Sequence, residues 1–214
     1  LSVILVLSLF ITFVLMIQGG YGSFAKALLD SVFQVVSFIS TTGFGNADNA
    51  LWPVLANVFL LLAAFHCGCS GSTTGGIKAD RMLIIFKEIG NEFRRRLHPS
   101  SVFCTKVDGH TVSNDQVSAV FLYFVAYVFI LFMSFMAVLM SGVEISDAFS
   151  GTLASLGNVG PGLGALGTMG NYASQPVFAK RVYTAVMFLG RLEIFPVLAV
   201  LHLISDFRKN SSGR

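Results

Sequence analysis

Residues 117–140 read VSAVFLYFVAYVFILFMSFMAVLM, a run without a charged side chain. A bilayer core is roughly 30 Å thick and a helix needs about 20 mostly apolar residues to cross it, so this run predicts a membrane span. Residues 1–17, LSVILVLSLFITFVLMI, are equally free of charge and predict a second. Composition agrees: of 214 residues, 54% are hydrophobic, 12% are charged and 21 are Phe, far from the balance of a soluble domain. Two further apolar stretches, 51–66 and 182–204, are interrupted, the first by a glycine cluster at its end and the second by Arg191 and Glu193. Interrupted spans are where function concentrates in membrane proteins. The chain opens on Leu1 within an apolar run, without Met or a charged leader, and the expectation is a piece of a longer polypeptide.

Charge is distributed with a purpose. Lys78, Arg81, Lys87, Arg94, Arg95, Arg96 and Lys106 form one basic segment, and Arg208, Lys209 and Arg214 another. Both are expected on the cytoplasmic side. A basic run flanked by spans is a topology signal rather than a nucleic-acid site, and Arg94–Arg96 could meet acidic lipid or an acidic partner surface. Cys67 and Cys69 beside His66 lack the spacing of a zinc site and suit close helix packing. No metal site is expected there.

An internal repeat organises the rest. DSVFQVVSFISTTGFG (30–45) aligns with DAFSGTLASLGNVGPG (147–162), setting Asp30 on Asp147, Gly43 on Gly160 and Gly45 on Gly162 at one offset of 117 residues. Each copy has a full span, a short helix opening near an Asp, a glycine-centred turn and a second span. That order describes a re-entrant pore loop between two membrane helices. The short helices, expected at 31–39 and 148–156, cannot cross a bilayer and must dip in and return. Their aspartates are expected to cap the helix starts, and their negative ends then favour a cation at the turns. Non-helical backbone at membrane depth must be buried in protein or line a wet cavity. STTGFG and LGNVGPG are therefore read as pore lining, with glycine at 43 and 160 permitting positive φ. Carbonyls turned inward there can replace the hydration shell of a potassium-sized ion. Two extracellular turns in a different transporter are the alternative.

Residues 68–76, GCSGSTTGG, interrupt a helix expected to begin near Trp52 and resume at Ile77. Four glycines there disfavour a continuous helix, at about 1 kcal/mol each against Ala, so a flexible intramembrane loop is expected below the turns. The phosphate-loop pattern fails because Lys78 comes one place late and no Ser or Thr follows. Gly162–Gly167 is formally G-x-G-x-x-G but follows no strand, which excludes dinucleotide binding. Arg191 lies about 15 residues into a helix starting near Pro176, close to mid-membrane at about 1.5 Å per residue, where a guanidinium needs water or a partner. Its expected position is facing the pore opposite the glycine loop, as an electrostatic barrier; a packing ion pair on another helix is the alternative. Glu193 points to a different face. No nucleophile–base pair or paired-carboxylate site appears, so no enzyme is expected.

STTGFG (40–45), GCSGSTTGGIKADR (68–81), GNVGPG (157–162) and GRLEIFPVL (190–198) together resemble the bacterial Trk/Ktr-type potassium uptake proteins, related to the plant high-affinity transporters. The resemblance implies an all-α integral membrane protein with potassium-channel-like helix–pore-loop–helix repeats around one pore, of which this chain holds the third and fourth. It implies a pore repeat at 1–89, a cytoplasmic basic linker at 90–114, a second pore repeat at 115–207 and a cytoplasmic tail at 208–214, in the bacterial inner membrane. The filter role carries over to Thr41, Thr42, Gly43, Phe44, Asn158, Val159, Gly160 and Pro161, and the gate to Gly68, Gly71, Ser72, Thr73, Thr74, Gly75, Gly76 and Arg191. The implied function is potassium uptake without a cofactor. Implied partners are the first two pore repeats, a second copy in a homodimer, membrane lipid and a cytosolic nucleotide-binding regulatory ring, with no nucleic acid. A secondary transporter with alternating access is the runner-up, and a non-conducting structural subunit a third class.

Overall fold

The computed structural model describes residues 2–18, 20–68, 71–72, 74–98, 104–107 and 109–192. Cys69, Ser70, Thr73, Glu193 and the expected tail 208–214 lie outside the described residues. The elements are α1 (Ser2–Gln18), α2 (Phe24–Ile39), a 3-10 turn (Asn49–Leu51), α3 (Val54–Phe65) and a parallel pair of two-residue strands, β1 (His66–Cys67) and β2 (Ile77–Lys78). Then come α4 (Ala79–Leu97), an antiparallel pair β3 (Lys106–Val107) and β4 (His110–Thr111), α5 (Asn114–Leu139), α6 (Ile145–Leu156), a 3-10 turn (Gly164–Leu166) and α7 (Val177–Arg191).

At 26 residues, α5 is the described helix long and apolar enough to cross a membrane by itself, while α1 and α3 are shorter apolar helices. A capping box sets where α5 starts: the Ser113 hydroxyl accepts from the Gln116 amide and the Gln116 side chain accepts from the Ser113 amide. Along α1 and α5 the side chains of Leu9, Phe13, Val125 and Phe129 are exposed.

Three apolar clusters hold the helices. The first joins Ile11 and Leu15 of α1, Val35 and Phe38 of α2 and Leu60 and Ala64 of α3. A second joins Tyr123, Tyr127 and Leu131 of α5 to Leu153 and Leu156 of α6, Val186 of α7 and Ile77. The third packs Val138, Ala148, Leu166, Ala179 and Tyr183. The chain thus forms two helical units, α1–α2–α3 and α5–α6–α7. Val159, from the turn after α6, is 3% exposed and belongs to the first unit's cluster.

Three expectations are corrected. The short helices start earlier than 31 and 148: α2 opens at Phe24 behind Ser23, which makes no side-chain cap, and α6 opens at Ile145 behind Glu144. Asp30 therefore lies inside α2 rather than at its start. It accepts from the Tyr21 hydroxyl (3.1 Å) and from Asn46 Nδ2 (2.8 Å), tying the helix to the segment that returns from the turn. Asp147 does sit in the first turn of α6, and it too receives a returning backbone amide, that of Ala165. Finally, the broken helix begins at Val54 and resumes at Ala79 instead of Trp52 and Ile77, because Trp52 closes the 3-10 turn and Ile77–Lys78 pair with His66–Cys67.

Candidate functional site

The turns that end α2 and α6 share one backbone pattern. The Ser40 amide donates to Val36, Thr41 to Phe38 and Thr42 to Ser37, while Gly157 donates to Leu153, Asn158 to Ser155 and Val159 to Ala154. Every pair is related by the 117-residue offset. The left-handed positions match as well: Gly43 (φ 77) with Gly160 (φ 102), and Thr41 (φ 53) with Asn158 (φ 55). The glycines were legible in the sequence; the two side-chain-bearing positions were not. Asn tolerates this region, whereas a β-branched Thr is a strained occupant.

The turns brace their carbonyls differently. In the first, the Ser37 hydroxyl donates to the Phe44 carbonyl at 2.6 Å. In the second, Ala154 stands where Ser37 would fall and has no hydroxyl; there the Tyr172 hydroxyl reaches in from the following loop and donates to the Gly160 carbonyl at 2.8 Å. Ser155 hydrogen-bonds Tyr172 in turn. Burial pushes the Tyr172 hydroxyl up to about 12, against the pull of the Ser155 bond, so it stays protonated and a donor at neutral pH. The Gly160 oxygen therefore accepts a hydrogen bond from within the protein.

The two turns touch. A Cβ on Gly43 would overlap the Val159 carbonyl oxygen and stand 3.2 Å from the Pro161 ring, so Gly43 is required by space and φ together. Beyond the turns, Asn49 clamps the two return segments. Its Nδ2 donates to the Gly162 carbonyl (3.1 Å), and its Oδ1 accepts from the Thr168 amide (2.9 Å) and hydroxyl (3.2 Å). Asn57 then donates to the Asn49 carbonyl at 2.9 Å. Asn49 is fully buried, and nothing in ADNAL marked it in the sequence, because its partners are 113 and 119 residues away.

Behind the second turn lie the glycine-rich break and the end of α7. The break is closed at its neck by β1 against β2 and by the Ala79 amide on the Gly68 carbonyl (3.1 Å). Gly71 (φ 90) and Gly76 (φ 72) are left-handed, the Ser72 and Thr74 hydroxyls share a 2.6 Å hydrogen bond, and Tyr123 of α5 donates to the Gly76 carbonyl at 3.2 Å. Gly75 rests on the turn itself: a Cβ there would stand 2.6 Å from the Gly157 carbonyl and 3.0 Å from Asn158 Nδ2. Gly190 approaches the same amide, its Cβ position lying 2.9 Å from Asn158 Nδ2 and overlapping the Leu156 carbonyl. Asn158 Nδ2 meanwhile donates to the Met187 carbonyl at 3.2 Å. The break and the helix end that carries the exposed Arg191 are therefore both set against Asn158. Thr73 lies outside the described residues.

The remaining motifs resolve structurally. Gly164–Leu166, inside the G-x-G-x-x-G stretch, is a 3-10 turn. Cys67 is buried and its thiol donates to the Ala64 carbonyl at 3.0 Å. Among the described residues, no three His, Cys, Asp or Glu side chains are grouped to hold a metal ion. The basic face of α4 is partly paired: Arg95 meets Glu88 (2.9 Å) and Glu92 (3.4 Å), and Arg96 meets Glu92 (3.5 Å). α4 also runs unbroken across residues 89 and 90, where the sequence suggested a boundary.

Comparison with known proteins gives consistent matches. The family model described as "TrkH: Cation transport protein" matches residues 1–210. The chain is 38% identical over 189 residues to the Trk system potassium uptake protein TrkH of Salmonella typhimurium, covering 88% of this chain and 39% of that protein. It is 39% identical over 175 residues to the TrkH of Halomonas elongata, covering 82% and 36%. It superposes on the crystal structure of the potassium transporter TrkH from Vibrio parahaemolyticus with a TM-score of 0.85 at 34% identity, covering 94% of this chain and 42% of that one. The chain thus spans about two fifths of the length of these relatives.

Proposed function

The chain belongs to the TrkH family of cation transport proteins, and from that premise we propose that it supplies two of the four pore segments of a potassium-uptake pore in the bacterial inner membrane. The observation that carries this reading is the pair of turns at Ser40–Phe44 and Gly157–Pro161, which repeat one hydrogen-bond pattern and meet at Gly43 and Val159. Each closes a short helix whose carbonyl end carries partial negative charge, and carbonyl rings of this kind exchange for the water around a monovalent cation. In this reading Thr41, Thr42, Gly43, Phe44, Asn158, Val159, Gly160 and Pro161 form half of the filter. Gly68, Gly71, Ser72, Thr73, Thr74, Gly75, Gly76 and Arg191 form the gate beneath it, a reading supported by the approach of Gly75 and of Gly190, the neighbour of Arg191, to Asn158. Potassium is cargo, and the chain uses no cofactor.

In this reading the other two segments come from the first two repeats; the chain spans about two fifths of its relatives' length. The assembled protein pairs as a homodimer, and the basic face of α4, Arg94–Arg96 included, receives a cytosolic nucleotide-binding ring. The deciding experiment is cation flux into liposomes for potassium, rubidium and sodium, with the chain alone and with the first two repeats supplied, and with Gly43→Asp as the blocked control. Selective flux from the chain alone means that two copies complete a fourfold filter; selective flux only with the other repeats means half a pore. Saturable exchange of an organic substrate, indifferent to ion radius, refutes the pore in favour of alternating access.

A further inference from the structure

We propose that Tyr172 is a selectivity-positioning residue: its hydroxyl holds the Gly160 peptide in the orientation on which discrimination between potassium and sodium depends. The inference rests on the pore reading above. It starts from an asymmetry between the two repeats. The first turn carries its own brace, since Ser37, in the last turn of α2, donates to Phe44 O. The second turn has lost that donor to Ala154, and the residue at the repeat position of Tyr172 is Leu55, which has no hydroxyl. Each turn thus has one hydroxyl brace, but one step apart in the repeat: Ser37 holds Phe44, which aligns with Pro161, while Tyr172 holds Gly160, which aligns with Gly43.

Tyr172 is built to do this. Its ring packs edge to face on Tyr183 of α7 (centroids 5.3 Å apart, planes at 79°), and both rings belong to the apolar packing of α5, α6 and α7. The hydroxyl bridges Ser155, near the end of α6, to Gly160, two residues past the left-handed Asn158. Gly160 has φ 102 and open space where a Cβ would be. No Cβ packs at Gly160 and its amide reaches the Ala154 carbonyl only at 3.5 Å, so the Tyr172 hydroxyl is the side-chain donor that fixes its carbonyl, on a peptide whose other end is Pro161. A peptide free to rotate lets the turn shrink around a smaller ion; a restrained one does not.

The test compares the wild type, Tyr172→Phe and Tyr183→Phe in the assembled pore with all four repeats, reading the rubidium-to-sodium flux ratio beside the thermal midpoint in detergent. Tyr172→Phe keeps the ring contact and removes only the donor. Tyr183→Phe removes a buried hydroxyl that has no partner among the described residues. The expected result is a ratio lowered roughly fivefold in Tyr172→Phe, the scale of one neutral hydrogen bond, with Tyr183→Phe at the wild-type ratio. An unchanged ratio in Tyr172→Phe, whether or not its midpoint falls, overturns the proposal. So does an equal loss in Tyr183→Phe, which would mark a general packing effect. Wild-type protein that passes cations without preference overturns this role, and saturable exchange of an organic substrate in place of cation flux overturns the pore reading itself.

Discussion

Replacing Asn49 with Ala is expected to separate the two pore-turn segments more effectively than any apolar truncation. The side chain makes three hydrogen bonds at a fully buried site, one given to Gly162 and two received from Thr168. The Thr168 hydroxyl has one proton and gives it at shorter range to Ala47 (2.7 Å against 3.2 Å), so two full bonds are lost, about 2 kcal/mol at about 1 kcal/mol net each, and a stranded Thr168 amide adds about 1–3 kcal/mol more. For a chain of this size about 1 kcal/mol moves the midpoint by roughly 2–4 °C, so Asn49→Ala should melt roughly 4–8 °C lower from the lost bonds alone. The measurement is thermal unfolding in detergent, followed by size-exclusion fluorescence. Thr168→Val supplies the second corner of a double-mutant cycle, since it removes the hydroxyl bonds to Ala47 and Asn49 but keeps the amide. Because the two residues share a network, the double variant should lose less than the sum, with a coupling of about 0.5–3 kcal/mol. A midpoint within 2 °C of wild type for Asn49→Ala, or strict additivity in the cycle, would refute the clamp.

Two helix glycines should respond in opposite directions. Gly90→Ala in α4 meets nothing within 4 Å and should stabilise by about 0.5–1 kcal/mol, whereas Gly190→Ala drives a methyl into the Leu156 backbone carbonyl and should destabilise by about 1–3 kcal/mol; paired melting curves decide. Ser113→Ala removes the capping box of α5 and should cost about 1 kcal/mol, seen as a small drop in midpoint with flux unchanged. Two unit charges about 6 Å apart at an effective dielectric of ~40 repel by about 1.4 kcal/mol. Arg191→Ala should therefore raise cation flux on the order of tenfold, and unchanged flux in a well-expressed variant counts against the barrier.

What the sequence disclosed was whatever repeats or avoids charge. The run at 117–140 is α5 less its polar first turn, and the 117-residue offset aligned turns whose hydrogen bonds match donor for donor. The start of α2 stayed hidden because Ser23 makes no cap and Lys26 breaks the apolar run, so Asp30 stood out as a helix start when it is a tie to Tyr21 and Asn46. On either side of the glycine-rich break, β1 and β2 are two residues each, too short for any alternation to show. Asn49, Thr168 and Tyr172 carry no local signal at all. Their roles come from partners that only the folded backbone brings near, and a polar residue in a polar loop looks the same with or without such a partner.

The seating of Val159 in the first unit's cluster and the reach of Asn49 to Thr168 set a timetable for biosynthesis. The first unit emerges with its core unfinished and with a buried asparagine whose partner lies 119 residues downstream. At roughly 5–20 residues per second, that partner leaves the ribosome roughly 6–24 s later. Until then the first unit's cluster lacks Val159, and Asn49 lacks Gly162 and Thr168.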